Sequence, residues 1–205
     1  MGRGTGHQGL KATLKYLQYR DKRNNHLAQS RDYERWQDHG MGIHHGEIYR
    51  NCDHLQSKHV LAWTWVISPA PDLLALVPED QRRVLLYNLT ELIVEDYYTE
   101  RGFDVPEYSY LMHSAKTKAK NGEPSQQHLH THVVLPGTAP SAADRLPVYN
   151  NTTKGHDLLF REIASRHFAE ALDQRIGMDW RRLRADPTLE RDDAPSIDLN
   201  DFFSQ

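Results

Sequence analysis

One cysteine, Cys52, stands in 205 residues, so no internal disulfide can form and a reducing compartment is expected. Long apolar runs are missing as well. The longest, Val60 to Val77, is interrupted by Pro69, Pro71 and Asp72 and cannot be a membrane span. Met-Gly-Arg-Gly-Thr-Gly at the N-terminus lacks the apolar core of a secretory signal, and the chain has no internal repeats. These absences predict a soluble, cytoplasmic protein without a membrane partner. A strong excess of either charge is also lacking: 25 Lys and Arg stand against 28 Asp and Glu, a net charge of −3. That argues against nucleic acid until the distribution is considered. Acidic residues gather in 72–107 and after Asp186, whereas the first 60 residues and segment 114–127, with Lys116, Lys118 and Lys120, are net basic. Such a basic side permits a phosphate backbone, although charge runs are usually solvated surface. The length suits one good core. Residues 1–185 read as one domain and 186–205 as an acidic, proline-punctuated tail.

What the chain does have is histidine, 13 in all, and three of them alternate in Gln127-His128-Leu129-His130-Thr131-His132-Val133-Val134-Leu135. Alternation is strand periodicity: it sends Leu129, Thr131, Val133 and Leu135 to one face and the three imidazoles with Val134 to the other. Imidazoles at i and i+2 have Cα atoms roughly 7 Å apart and can share one ion. His128 and His132 lie roughly 13 Å apart, awkward for a common ion, so the third ligand should come from elsewhere. His113 is the best donor, at the end of the strand-like run Val105 to His113. Residues 114–127 are polar, contain Asn-Gly and Pro, and read as a long loop joining two antiparallel strands. The hairpin brings His113 back beside His128 and His130, giving a three-histidine site with open positions, as a catalytic ion requires. The plainer alternatives are a half-exposed strand that carries histidines, or a structural metal clip.

Residues 9–23 follow a glycine-rich lead and read as a helix whose buried stripe is Leu10, Leu14 and Leu17. Tyr16 and Tyr19 then fall on the opposite side, among Lys15, Arg20 and Arg23. They are either amphipathic residues closing over the core edge or nucleophiles. Tyrosine forms covalent intermediates, and an ion that polarises a phosphodiester needs a nucleophile that no cysteine or serine motif here supplies.

From Asn24 to Lys58 the chain is polar and irregular, with turns at His39-Gly40-Met41-Gly42 and His44-His45-Gly46, the last pair being spare ligand candidates. His59 to Ser68 is apolar on both faces and reads as a central strand. Helices are expected over 79–101, stopped by Gly102, and over 155–176, capped by Gly177, with His167 a satisfied core histidine. The order helix, strand, helix, strand, strand, helix predicts an α+β sandwich, an antiparallel sheet flanked by helices.

A lone histidine followed by a His-x-His strand, His113 with His130-Thr131-His132-Val133-Val134, resembles the metal motif of HUH endonucleases. Within that superfamily the chain is most similar to plasmid-mobilising relaxases. Leu14-Lys15-Tyr16-Leu17-Gln18-Tyr19-Arg20-Asp21 resembles their nucleophile motif, and Trp36 to Gly42 and Trp65 to Pro69 look like further segments of the group. The resemblance covers roughly residues 5–175 and implies a two-layer or three-layer sandwich. It implies that His113, His130 and His132 hold a divalent ion (Mg, Mn, Zn or Ni) and that His128 lies beside the site as a supporting or DNA contact. Tyr16, with Tyr19 as second choice, would attack a single-stranded DNA site at an origin of transfer or similar hairpin and form a 5′-phosphotyrosyl bond. Lys15, Arg20, Arg23, Lys116, Lys118 and Lys120 would contact DNA. The acidic overall charge suggests help from an accessory DNA-binding or conjugation protein. Two departures stand out: Ala115 occupies a position often acidic in relatives, and the gap before the histidine pair is longer.

Three classes of function follow: a metal-dependent DNA-nicking transesterase, with rolling-circle initiators and transposases of the same superfamily sharing its site; a metal-dependent hydrolase or oxygenase of a small molecule; and a DNA-binding or structural protein using the ion as a staple.

Overall fold

The computed structural model describes residues 2–3, 6–24, 36–116, 127–139, 146–147, 155–177 and 180–185. The tail 186–205, Lys118 and Lys120 lie outside them. In chain order the elements are β1 (Gly2–Arg3), α1 (Gly6–Asn24), β2 (Gln37–His39), α2 (His45–His54), β3 (Ala62–Ile67), α3 (Pro71–Ala75) and α4 (Glu79–Thr99). They continue with β4 (Tyr108–Lys116), β5 (Gln127–Pro136), β6 (Thr138–Ala139), β7 (Leu146–Pro147), α5 (His156–Ile176) and α6 (Trp180–Ala185). The fold is α+β. Its main sheet has five strands in the order β1-β3-β5-β4-β2, every pair antiparallel.

The central strand is β5, not the run His59 to Ser68. That run yields β3, which is apolar on both faces but meets only the two-residue β1 on its outer side. The alternation of β5 sorts its side chains as expected. Leu129, Val133 and Leu135 enter one core with Trp63, Trp65 and Ile67 of β3 and Tyr108, Tyr110 and Met112 of β4, beneath α4 and α5. Leu86, Leu89, Ile93 and Tyr97 supply the α4 side of that core, at the helical spacing that makes one buried stripe. The buried hydroxyl of Thr131 is met there by Thr90, at 2.8 Å, so this polar group carries no desolvation debt.

The other face of the sheet is covered by α1 and α2. Leu10, Leu14 and Leu17 pack with Trp36, Met41, Ile48, Cys52, Leu55, Ala62, Leu111 and Val134. The molecule is thus layered helix, sheet, helix. Helix α2 is the element that the polar stretch from Asn24 to Lys58 conceals: three apolar residues, Ile48, Cys52 and Leu55, form a stripe too narrow to stand out in sequence. His44 starts this helix, its ring nitrogen accepting from the Gly46 amide.

The backbone demands glycine at several positions, two of which mark the ends of elements. Gly177, with φ +85°, ends α5 as expected. At Gly137 a Cβ would lie 2.1 Å from the Val60 carbonyl oxygen, so only glycine fits where β5 leaves the sheet. Among the described residues, no helix is long and apolar enough to cross a membrane.

Candidate metal centre

The antiparallel register of β4 and β5 sets the site. His113 stands directly opposite His130, and His132 follows two residues along on the same face. Ring centroids lie 5.7 Å apart for His113 and His130, 4.9 Å for His113 and His132, and 5.0 Å for His130 and His132. His113 is 1% exposed and His130 7%, while His132 is half-buried. One nitrogen from each ring falls within 4.8 Å of the others. Bonds of about 2.0–2.1 Å to a shared ion require nitrogens roughly 3.0–3.4 Å apart, so small rotations about the side-chain bonds complete the grip.

Hydrogen bonds on one nitrogen of two of the rings are compatible with that use. Nε2 of His113 donates to the Leu17 carbonyl oxygen of α1 at 2.7 Å, and Nδ1 of His130 lies 3.3 Å from the His128 carbonyl oxygen. A neutral imidazole donating from one nitrogen carries its lone pair on the other. Lone pairs therefore sit on Nδ1 of His113 and Nε2 of His130, and a backbone carbonyl behind a ligating imidazole is the usual way of fixing its tautomer. Three nitrogen donors on rigid strands fit a divalent transition ion, with positions left for water or substrate.

The structure corrects the sequence-based pairing of His113 with His128 and His130. Strand β4 runs three residues past His113 to Lys116, which pairs with Gln127, so His128 faces Ala115 and lies outside the triad. His128 instead places Nε2 2.7 Å from the Ser68 hydroxyl, with its ring centroid 5.4 Å from that of His130. His44 and His45, the spare candidates, are taken up by α2: His44 caps it, and His45 meets the Gln18 side chain through both its amide and Nδ1, at 2.7 and 2.9 Å.

The two candidate nucleophiles are not equivalent, contrary to the helical-wheel expectation. Tyr16 is 46% exposed. Tyr19 is half-buried, its ring edge-on to His45 at 5.6 Å, with the Gln18 amide donating to its hydroxyl at 3.5 Å. The cover comes from α2, which the sequence did not disclose. Burial, then His44, Lys15 and Lys11, hold the His45 imidazole below its ordinary range. Lys15 is exposed on α1. Arg20 and Arg23 belong to α1 and Lys116 to β4, but their side chains lie outside the described residues.

Two other candidate nucleophiles are disarmed. Burial pushes the Cys52 thiol up to about 12. Burial and then Glu91, which accepts the Tyr110 hydroxyl, push the Tyr110 phenol far above its usual range.

Sequence reasoning missed three contributors: the Leu17 carbonyl behind His113, Gln18 as the link between α1 and α2, and Ser68 beside His128. Only Ser68 left a signal, since it shares the parity of Ala62, Thr64 and Val66 along β3. Comparison with protein-family models, curated proteins and solved structures finds no match.

Proposed function

We propose that the protein is a metal-dependent, tyrosine-nucleophile enzyme of the HUH type that nicks and rejoins single-stranded DNA, as relaxases do. One observation carries the reading. Three imidazoles from neighbouring strands converge, and one of them is hydrogen-bonded to the Leu17 carbonyl, on the same helix and between Tyr16 and Tyr19. The sheet with helices on both faces is compatible with the relaxase architecture that the sequence resembles.

His113, His130 and His132 would hold the ion, which when bound withdraws charge from a non-bridging phosphate oxygen. Exposure favours Tyr16 as the attacking phenol, with Tyr19 as the alternative. The phenol oxygen bonds to phosphorus, the bond to the 3′ oxygen breaks, and that oxygen takes up the proton as a free 3′-hydroxyl. The 5′-phosphotyrosyl ester conserves the energy of the broken linkage, so attack by a 3′-hydroxyl restores the strand. Lys15 and the basic residues near it would hold the flanking phosphates.

The test is incubation with labelled single strands from the DNA around its own gene, in the presence of Mn²⁺. A denaturation-resistant protein–DNA adduct is expected, reduced by roughly a thousandfold or more in Tyr16→Phe. An adduct lost only in Tyr19→Phe moves the nucleophile, and no adduct in any metal ends the nickase reading.

A further inference from the structure

Among the described residues, the apolar side chains that α1 and α2 lay on this face of the sheet reach Ala62, Leu111 and Val134, and the Leu17 carbonyl carries the cover on to His113. Farther along the same face His113 and His130 are still buried, and the face opens only toward β3. Val66, directly opposite His132 in the register, is 51% exposed, Ser68 is exposed, and His128 and His132 are half-buried. This strip runs without a break from the three-histidine cluster: the His128 ring lies 5.4 Å from that of His130. An exposed valine beside an incipient ion site, with a hydroxyl and an imidazole bonded to each other next to it, is not explained by core packing.

The Ser68 and His128 pair has a fixed hydrogen-bond capacity. Its atoms are 2.7 Å apart, and either can be the donor. When Ser68 donates, Nε2 of His128 accepts and Nδ1 carries an N–H pointing elsewhere. When Nε2 of His128 donates, the Ser68 hydroxyl hydrogen is released to point elsewhere. In both arrangements the neutral pair keeps one donor for an outside acceptor. It offers that donor beside the place where an ion would hold a phosphate.

We propose that Val66, Ser68 and His128 form a nucleotide subsite adjoining the metal centre, an inference that rests on the function proposed above. The Ser68 and His128 pair donates to a non-bridging oxygen of the phosphodiester neighbouring the one to be cut. Val66 is the apolar floor on which the intervening sugar and base lie. The subsite reads the backbone and not the base edge, so it takes any sequence. It differs from Lys15 of α1 in donating through a hydroxyl and an imidazole held against each other, not through an ammonium group, and this gives it a distinct signature. A neutral donor strengthens binding without displacing counterions, whereas a lysine against a phosphate contributes about 0.7 to the salt slope on single strands.

The experiment measures fluorescence anisotropy of a fluorescein-labelled oligothymidylate against the full chain in EDTA, over a salt series, so that neither metal nor cleavage enters. Ser68→Ala and His128→Ala should each weaken binding about tenfold, because the donor left behind is no longer held toward the phosphate by its partner, with the salt slope unchanged. The double variant should bind no worse than either single one, because the two residues act as a unit. Lys15→Ala should instead flatten the slope. Zn²⁺ affinity and thermal midpoint of Ser68→Ala should match those of the parent. Parent-like binding by both single variants overturns the subsite and leaves the nickase reading standing. A loss of Zn²⁺ affinity in Ser68→Ala as large as its loss of DNA affinity also overturns it, by reducing Ser68 to a prop for the histidines. Failure of the parent to bind the oligonucleotide at all also overturns the subsite, and the nickase reading is then decided by the adduct test.

Discussion

On the face of the sheet beneath α4 and α5, strands β3, β4 and β5 present Trp63, Trp65, Ile67, Tyr110, Met112, Val133 and Leu135, all buried. On the opposite face the same three strands, with Ser68 just past β3, present Val66, His113, His128, His130 and His132, and among the described residues the apolar helical cover ends partway. The contrast is drawn residue by residue within β5, where Leu129 and Thr131 point to one layer and His130 and His132 to the other. One strand can serve both because its side chains alternate, and a rigid apolar backing holds ligands on the reverse to the tolerance that a metal needs. Stability and chemistry should therefore respond to different substitutions in neighbouring positions.

The largest effect should come from the backing. Ile93→Ala, in the fully buried stripe of α4, should cost about 2–5 kcal/mol by denaturant titration, from lost burial and the cavity left behind. The metal affinity of the fraction that remains folded should be unchanged. A parallel loss of affinity would erase the distinction between the faces.

Next, His130→Ala should weaken Zn²⁺ binding by about a hundredfold or more, read by competition with a chelating dye. Its effect on stability without metal should be much smaller than that of Ile93→Ala. Equal destabilisation by the two substitutions would mean that the triad is simply core.

The smallest effect belongs to His45, at the seam of α1 and α2. Its imidazole titrates lower in the folded chain than its ordinary value of 6.5, mainly through burial. Between 6.5 and the lower folded value the unfolded chain binds the extra proton, so folding stability should fall as pH drops through that window and level off below it. Because His45 is only half-buried, the change should be small. His45→Gln should flatten the profile of thermal midpoint against pH, and an unchanged profile would assign the acid sensitivity to other groups.

These expectations also mark how far the primary structure could be read. Binary alternation in residues 127–136 placed Leu129, Thr131, Val133 and Leu135 on one layer and the imidazoles on the other, because burial forces a period of two. The long helices α4 and α5 were legible from their apolar spacing and from Gly177. Register was not, because it depends on how far the hairpin zips toward its loop. Three residue pairs beyond His113 moved His128 from ligand to neighbour. Helix α2 was hidden by its polar exterior, and with it the shelter over Tyr19, a consequence of long-range contact that no local window contains.

The contact between His113 and the Leu17 carbonyl has a further consequence for how this protein can vary. It is made by main chain, at an oxygen with a second lone pair to spare for the helix. Any residue at position 17 that keeps the helix keeps the carbonyl, so ordinary codon-by-codon drift leaves the coupling intact. Insertion or deletion of a single residue upstream in α1 is another matter. Placed between Leu14 and Leu17, it would turn Leu10 and Leu14 by about 100° about the helix axis relative to Leu17 and its carbonyl, so the buried stripe and the histidine contact could no longer dock on the sheet together. Beyond its buried leucines, it is the length of this helix that has to be conserved.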